Sequence, residues 1–413
     1  MIERFEWSDE GSRAAALARP RGRDDPALLD AVRAIVSDVR ARGWPALVEQ
    51  ALRIDGAAPE LVAVAAYAAE ARRTLPAEAQ SAIALAAGNI EAFHRQTRPR
   101  DIEVLTMPGL SVAKQWRALG KAGLYIPGGK APLFSTLLML AIPARVAGVE
   151  QLTVVTPPHV GGGLDPAIAL AAETCGIDAI WTVGGAQAIA ALAFGAGKIA
   201  PVDRICGPGN AWVAAAKALV ASLAGGPGID LPAGPSELMV IADDSCDPAT
   251  VAADLLSQAE HDADAQVLLV TPSAAVIAAV ATALAASAAR VRAIRCASLD
   301  EAAAIANAYA PEHLSLAADD ADRLVPMIRN AGAIFAGHHA AETFGDYLAG
   351  SSHVLPTDGA ARFTGGVSTL TFMKAITVQR VSPGAARALA APAAALARLE
   401  GLDAHALAAE CRA

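Results

Sequence analysis

The sequence predicts an α/β protein built from two Rossmann-like parallel-sheet domains, with small helical extensions at the N and C termini. Two observations lead there. From Gly123 onward, short β-branched runs alternate with segments of helical composition such as "AWVAAAKALVASLA". The runs are nearly continuous in apolar character, as strands buried on both faces of a parallel sheet are. They also fall into two sets. "AGLYIPGG", "VEQLTVVTPP", "IDAIWTVGG" and "VDRICGPGN" form the first, and "SELMVIADD", "AQVLLVTP", "VRAIRCA" and "AIFAGHH" the second.

In chain order, residues 1–24 read as an N-terminal extension. "DPALLDAVRAIVSDVRAR" opens with Asp25 before Pro26, an N-cap followed by proline at the first helical position, and helical periodicity continues over the first part of the chain. The Gly- and Pro-rich stretch "GGPGIDLPAGPSE" at 225–237 reads as an interdomain crossing. The expected division is a discontinuous first α/β domain, 25–122 with 236–375, a second α/β domain, 123–235, and a tail, 376–413. The tail is helical after a β-like "KAITVQRVS" and is too small for a core of its own, so it should pack on another domain or another subunit.

Composition narrows the function classes. The chain has 413 residues, 54% of them hydrophobic and 18% charged, which fits folded domains and argues against long disorder. A formal charge of −9 argues against nucleic acid as a partner. The five cysteines (Cys175, Cys206, Cys246, Cys296, Cys411) are odd in number and form no CxxC pair, the pattern of reduced thiols in a cytoplasmic protein. The charged start "MIERFEWSDEGSR" lacks the apolar core of a signal peptide. The longest apolar run, 274–289, is shorter than the ~18–20 residues of a membrane span.

Several stretches carry candidate chemistry. "SQAEHD" (257–262) ends a helix that begins at Asp247-Pro248, and puts Gln258 and His261 on one face. The pair could point at a metal, although the same spacing is common on solvated faces. "YAPEHLSLAA" (309–318) joins Glu312 to His313, an acid–base pair if buried and an ordinary turn if not. Asp346 in "FGDYLAGSSHVLPT" is either a hard oxygen donor or a turn residue. Glu400 and His405 lie in the tail, where a lone histidine usually has no special role. The joints "YIPGGKAP", "VGGAQAIAALA" and "CGPGNAWVAAAK" run from strand to helix, and such joints can cradle phosphate on backbone N–H groups. None is GxGxxG, and any α/β fold needs glycines at such turns.

In this order, "LYIPGGKAPL", "GGAQAIAALAFG", "CGPGNAWV", "LPAGPSE", "SQAEHD", "PEHL", "GDYLAGSSHVLPT" and "EGLDAHALA" resemble the histidinol dehydrogenase family over roughly residues 30 to 410. Trp212 and Ser351 stand where the family more often has Tyr and Pro. The resemblance implies an enzyme that completes histidine biosynthesis, oxidising L-histidinol through L-histidinal to L-histidine with two NAD⁺ in turn. It implies one Zn²⁺ per subunit on Gln258, His261, Asp346 and His405. Glu312 and His313 would be the acid–base pair, and Tyr125, Gln187 and Asn210 would contact NAD in the 123–235 domain. Ser236 and Glu400, together with the zinc ligands and the Glu312–His313 pair, would hold the substrate. It further implies a homodimer whose exchanged tails share the active sites, with neither nucleic acid nor membrane as partner.

The chemistry suits these residue types. Two imidazoles, an amide oxygen and one carboxylate make a borderline site of modest charge, fit for Zn²⁺ and for neutral nitrogen donors of a substrate. Alcohol oxidation needs a base for the hydroxyl proton, His313, and aldehyde oxidation needs activated water, for which Glu312 is the candidate. A thiohemiacetal on Cys206 is the competing route, but no base is evident beside it. Other readings are a related zinc- and NAD-dependent alcohol-to-acid dehydrogenase for another small polyol or sulfonate, a zinc hydrolase, and a non-catalytic nucleotide-binding protein.

Overall fold

The computed structural model describes residues 2–20, 25–128, 133–159, 162–231, 234–261 and 264–413. Parts of three sequence motifs therefore lie outside the described residues: 129–132 of "YIPGGKAPL", 232–233 of "LPAGPSE" and Asp262 of "SQAEHD". The strands are β1 (Ile2–Glu6), β2 (Glu60–Ala63), β3 (Ile102–Met107), β4 (Leu110–Ala118), β5 (Lys121–Tyr125), β6 (Gln151–Thr156), β7 (Ala179–Thr182), β8 (Arg204–Cys206), β9 (Gly228–Ile229), β10 (Glu237–Ala242), β11 (Gln266–Thr271), β12 (Val291–Arg295), β13 (His313–Ala317), β14 (Ala333–Ala336) and β15 (Met373–Val381). They fall in two compact units, Met1–Thr97 with Gly120–Phe372, and Arg98–Leu119 with Met373–Ala413.

The first unit holds two sheets. One runs β1-β12-β11-β10-β13-β14 and is parallel throughout. The other runs β2-β7-β6-β5-β8-β9 and is parallel except for β2, which pairs antiparallel with β7. Every residue of β10 and of β13 is buried, which is why these strands read as apolar runs without alternation. In each sheet the first strand of the chain, β1 or β2, lies at an edge; the next, β10 or β5, lies in the middle, from which the chain winds outward one way and then returns to wind the other. The reversal falls between β10 and β13 in the first sheet and between β5 and β8 in the second. The predicted α/β class with parallel, Rossmann-like sheets is what the structure has.

Helix starts follow the local chemistry. Asp25, Asp165 and Asp247 each precede a proline, and each carboxylate accepts a backbone N–H of the first turn. No helix among the described residues is long and apolar enough to cross a membrane.

Three segments differ from the sequence expectation. Residues 2–6, read as part of an extension, form the edge strand β1 beside β12. Helices Pro26–Arg42 and Trp44–Ile54, expected with the first sheet, instead bury Val32, Ile35, Val36, Val39 and Leu47 in the core of the second, and β2 pairs at that sheet's edge. Residues 102–118, read as helical, form β3 and β4 in the second unit; β4 pairs antiparallel with both β15 and β3. β3 is almost wholly exposed, so its apolar side chains mark no buried face to read. The tail supplies helices Pro383–Leu399 and Asp403–Glu410 to that unit.

A buried ion pair fixes the turn after β8. Lys217, on helix Ala211–Ser222, pairs with Asp230, and both are almost fully buried. Lys217 Nζ donates to the Gly207 carbonyl at 2.8 Å, and the Gly207 N–H donates to Asp230 Oδ2 at 2.7 Å. Gly207 has φ +128, and a Cβ there would lie 2.0 Å from the Tyr125 carbonyl oxygen, so only glycine lets this turn approach the end of β5. Lys217→Met should lower stability by about 3–5 kcal/mol, because it strands a buried carboxylate. Adding Asp230→Asn should recover much of that loss. Urea unfolding of the two single variants and the double variant checks both outcomes.

Candidate active site

The densest group of titratable side chains sits at the amino ends of β10 and β13. Helix Leu299–Tyr309 ends at Ala310, whose φ of 56 turns the chain into Pro311, Glu312 and His313 at the start of β13. Parallel pairing sets Leu238 opposite His313, so Glu237 lies level with Glu312. The backbone of Glu237 holds both partners. Its N–H donates to Glu312 Oε2 at 2.9 Å, and its carbonyl lies 3.2 Å from His313 Nδ1. Both side chains are buried. An N–H on Nδ1 donating to that carbonyl leaves His313 Nε2 as the free base, aimed at Asp346 Oδ1 3.6 Å away.

Asp346 lies on the short helix Glu342–Tyr347, with Glu342 one turn earlier on the same face. Glu342 is fully buried, and its Oε1 is 3.6 Å from His313 Nδ1. Ligand atoms of His313, Glu342 and Asp346 lie within 4.8 Å of one another, a spacing that can hold a metal ion. Phe335 stacks on the His313 ring with centroids 5.9 Å apart, and a Cβ on Gly345 would lie 2.5 Å from Phe335 Cε1, so Gly345 lets this helix seat closely.

Helix Pro248–Ala259 packs against the Glu342–Tyr347 helix and brings Gln258 and His261 at its end. Gln258 is completely buried, yet neither amide atom has a hydrogen-bond partner. His261 is exposed, and its Nδ1 lies 2.9 Å from the Ser257 carbonyl, which fixes the tautomer and leaves Nε2 as a donor atom for a metal. The charge of His261 is felt at Asp346 and at His353. His353 is bound through Nδ1 to the Asp346 carbonyl at 3.1 Å and through Nε2 to Thr136 Oγ1 at 3.0 Å. Ser236, half-buried, immediately precedes Glu237, and its carbonyl accepts the Gln266 N–H.

Burial and crowding set the electrostatics. Burial raises Glu312 to about 8, although the His313 charge pulls it back in part. Burial alone would lower His313, but the carboxylates of Glu312, Asp346 and Glu342 outweigh it and hold the imidazole well above its ordinary value. Burial also raises Glu342, to about 7. Asp346 moves the other way: burial opposes its ionisation, and the nearby His313 imidazole outweighs that.

A second group lies at the carboxyl ends of β5, β7 and β8, flanking the strand-order reversal of that sheet. The hydroxyl of Tyr125, the last residue of β5, accepts the Gly185 N–H at 3.2 Å. Gln187, on helix Gly185–Phe194, is buried; its Nε2 donates to Asp55 Oδ2 at 3.1 Å, and its Oε1 has no partner. Asn210 is exposed and caps helix Ala211–Ser222, its Oδ1 accepting the N–H groups of Trp212 and Val213. Cys206 is completely buried, and burial pushes its thiol far above the ordinary range, so it carries no nucleophilic thiolate.

Glu312, His313 and Asp346 are thus brought together, with Gln258 and His261 on the adjoining helix. Glu400 and His405 belong to the second unit. Both are exposed, at the end of one tail helix and on the next. The sequence reading missed Glu342, His353 and Asp55. Only Glu342 left a usable signal, its four-residue spacing from Asp346.

Comparison with known proteins gives matches along the whole chain. The family model for histidinol dehydrogenase matches residues 18–413. The chain is 44% identical to the histidinol dehydrogenase of Xanthomonas euvesicatoria pv. vesicatoria over 97% of both chains. It is 46% identical to that of Rhizobium meliloti over 91% of this chain and 89% of the other. The crystal structure of histidinol dehydrogenase from Elizabethkingia anophelis superposes with a TM-score of 0.94 at 36% identity, covering 99% of this chain and 97% of that one. Matches of this extent, over a chain that buries Glu312 and His313 beside Asp346, show that it belongs to the histidinol dehydrogenase family.

Proposed function

We propose that the protein oxidises L-histidinol to L-histidine through L-histidinal, with zinc as structural template and two NAD⁺ consumed in turn. The observation that carries this reading is the buried Glu312–His313 pair, held by the backbone of one residue, Glu237, and facing Asp346. The donor set fits a metal. The stranded amide of Gln258 gains a partner if its Oε1 ligates a cation, and a cation on Asp346 offsets the carboxylate field around His313. Gln258, His261 and Asp346, with His405, would hold zinc, which supplies a cationic template for the amine and imidazole nitrogens of histidinol. NAD⁺, against Tyr125, Gln187 and Asn210, would take two electrons in each oxidation; the crevice at the carboxyl ends of β5 and β8 is where such sheets bind nucleotides.

The chain's own residues then divide the proton work. His313 Nε2 takes the hydroxyl proton in the first oxidation, releases it to solvent, and then takes the hydrate's hydroxyl proton in the second, each hydride passing to one NAD⁺. Glu312 takes a proton from the water that adds to the aldehyde. Its Oε2 is engaged by the Glu237 N–H, so Oε1 faces this task. Burial makes its carboxylate a stronger base than usual. Ser236 and Glu400, with the zinc ligands, complete the substrate contacts. The free thiols fit residence in a reducing cytoplasm.

The proposed assembly is a homodimer in which His405 and Glu400 come from the tail of the second copy. The exposure of Leu396, Leu399 and Leu407 on the tail helices supports a partner there.

Three outcomes are expected. A chelator should abolish NADH formation from histidinol and Zn²⁺ should restore it. Gln258→Ala and Asp346→Ala should bind less zinc by elemental analysis, whereas Glu342→Ala should keep it; zinc kept in Gln258→Ala and lost in Glu342→Ala would move the metal onto His313, Glu342 and Asp346. Glu312→Gln should slow histidinal oxidation more than histidinol oxidation, while His313→Asn slows both; Cys206→Ser should keep most turnover. Equal loss in both half-reactions for Glu312→Gln would remove its assigned role. Finally, inactive Asp346→Ala and His405→Ala chains refolded together should regain about a quarter of parent activity, since half the dimers are mixed and one of their two sites is intact. No recovery in mixed dimers confirmed by mass rejects shared sites.

A further inference from the structure

The side chain of Glu237 takes no part in the chemistry above, yet it is a fully buried carboxylate directly behind the acid–base pair. Its partner comes from far along the chain. Arg19 Nε lies 2.5 Å from Glu237 Oε1, and Arg19 Nη2 lies 2.9 Å from Oε2, a two-pronged contact. The same Nη2 donates to the Tyr309 carbonyl at 2.8 Å and reaches the Ala310 carbonyl at 3.5 Å. The guanidinium also lies over the Tyr309 ring, 3.7 Å from its centroid. Tyr309 and Ala310 are the residues from which the chain turns into Glu312 and His313.

One guanidinium therefore ties together both backbones that aim the pair. On one side it grips Glu237, whose N–H and carbonyl hold Glu312 and His313. On the other it grips the carbonyls at the end of the helix that delivers them. We infer that Arg19 is a positioning residue for the Glu312–His313 pair, fixing the start of β10 and the turn into β13 in register through Glu237 and the carbonyls of Tyr309 and Ala310. This rests on the acid–base roles given above. Lysine cannot replace it fully, because an ammonium lacks the planar fork that spans a carboxylate and a carbonyl at once. Loss of the fork lets the two backbones shift by fractions of an ångström, enough to misplace a base and a water.

The test compares the parent with Arg19→Met, Arg19→Lys and His313→Asn, each checked for fold by circular dichroism and for zinc by elemental analysis. The readout is the single-turnover rate of histidinol oxidation, which does not depend on the fraction of active protein, together with KM for NAD. Arg19→Met should lower that rate about 10- to 100-fold, and Arg19→Lys should fall between it and the parent, with KM for NAD unchanged in both. Parent-like rates in both Arg19 variants, with His313→Asn inactive, overturn the inference and leave the pair's role intact. If Arg19→Met does not fold, Arg19→Lys decides alone: a lowered rate supports positioning and a parent rate refutes it. Failure of both variants to fold assigns Arg19 to the fold and also overturns it. Full activity in His313→Asn would instead overturn the acid–base reading, and with it any role for Arg19.

Discussion

The backbone of Glu237, at the start of β10, is where the site's geometry is decided. Parallel pairing of these strands is cooperative, so the register that sets Leu238 opposite His313 is repeated along both strands. That register puts the N–H and carbonyl of one residue, Glu237, against the side chains of Glu312 and His313. A slip of one residue would turn every side chain of β13 to the other face and destroy the pair. The spacing of the pair is therefore a by-product of sheet formation, held by the full burial of β10 and β13.

The site holds several buried polar atoms without a partner. Gln258 hides both amide atoms, His313 hides Nε2, and Glu342 hides one oxygen. Others lie elsewhere, on His94 and Thr369 among them. Burying such a group unpaired costs free energy, a cost that a cation on the Gln258 oxygen would offset. The cores on the two faces of this sheet are apolar.

Much of this was legible in the sequence, for identifiable reasons. Asp25-Pro26 and Asp247-Pro248 are local signals, and the caps form where they stand. The runs in β10 and β13 are legible because burial on both faces removes alternation. Glu312 and His313 stand adjacent, so their pairing needed no folding to be suspected. Arg19, Asp55 and Glu342 were not legible, because each matters only through a partner remote in sequence or through burial. The chain brings Arg19 to Glu237 across 218 positions, and no periodicity records such a meeting. The edge strand β1 and the exposed β3 were missed for a related reason: an edge strand has half the burial, and so half the signal, of a central one.

The acid–base cluster lies at the amino ends of its strands, whereas the crevice beside Tyr125 and Asn210 lies at the carboxyl ends of the other sheet. In a parallel α/β layer the helices run back against the strands. Their C-termini therefore gather at the amino edge and their N-termini at the carboxyl edge. Each helix carries roughly half a negative charge at its C-terminus and half a positive charge at its N-terminus. Helices Pro248–Ala259 and Leu299–Tyr309 thus present their negative ends toward Gln258 and Glu312, while Gly185–Phe194 and Ala211–Ser222 present positive ends toward the crevice. The backbone alone makes one edge welcoming to metal cations and ammonium groups and the other to phosphates. Two sheets of one architecture, one used from each end, thereby favour groups of opposite sign before any side chain is chosen.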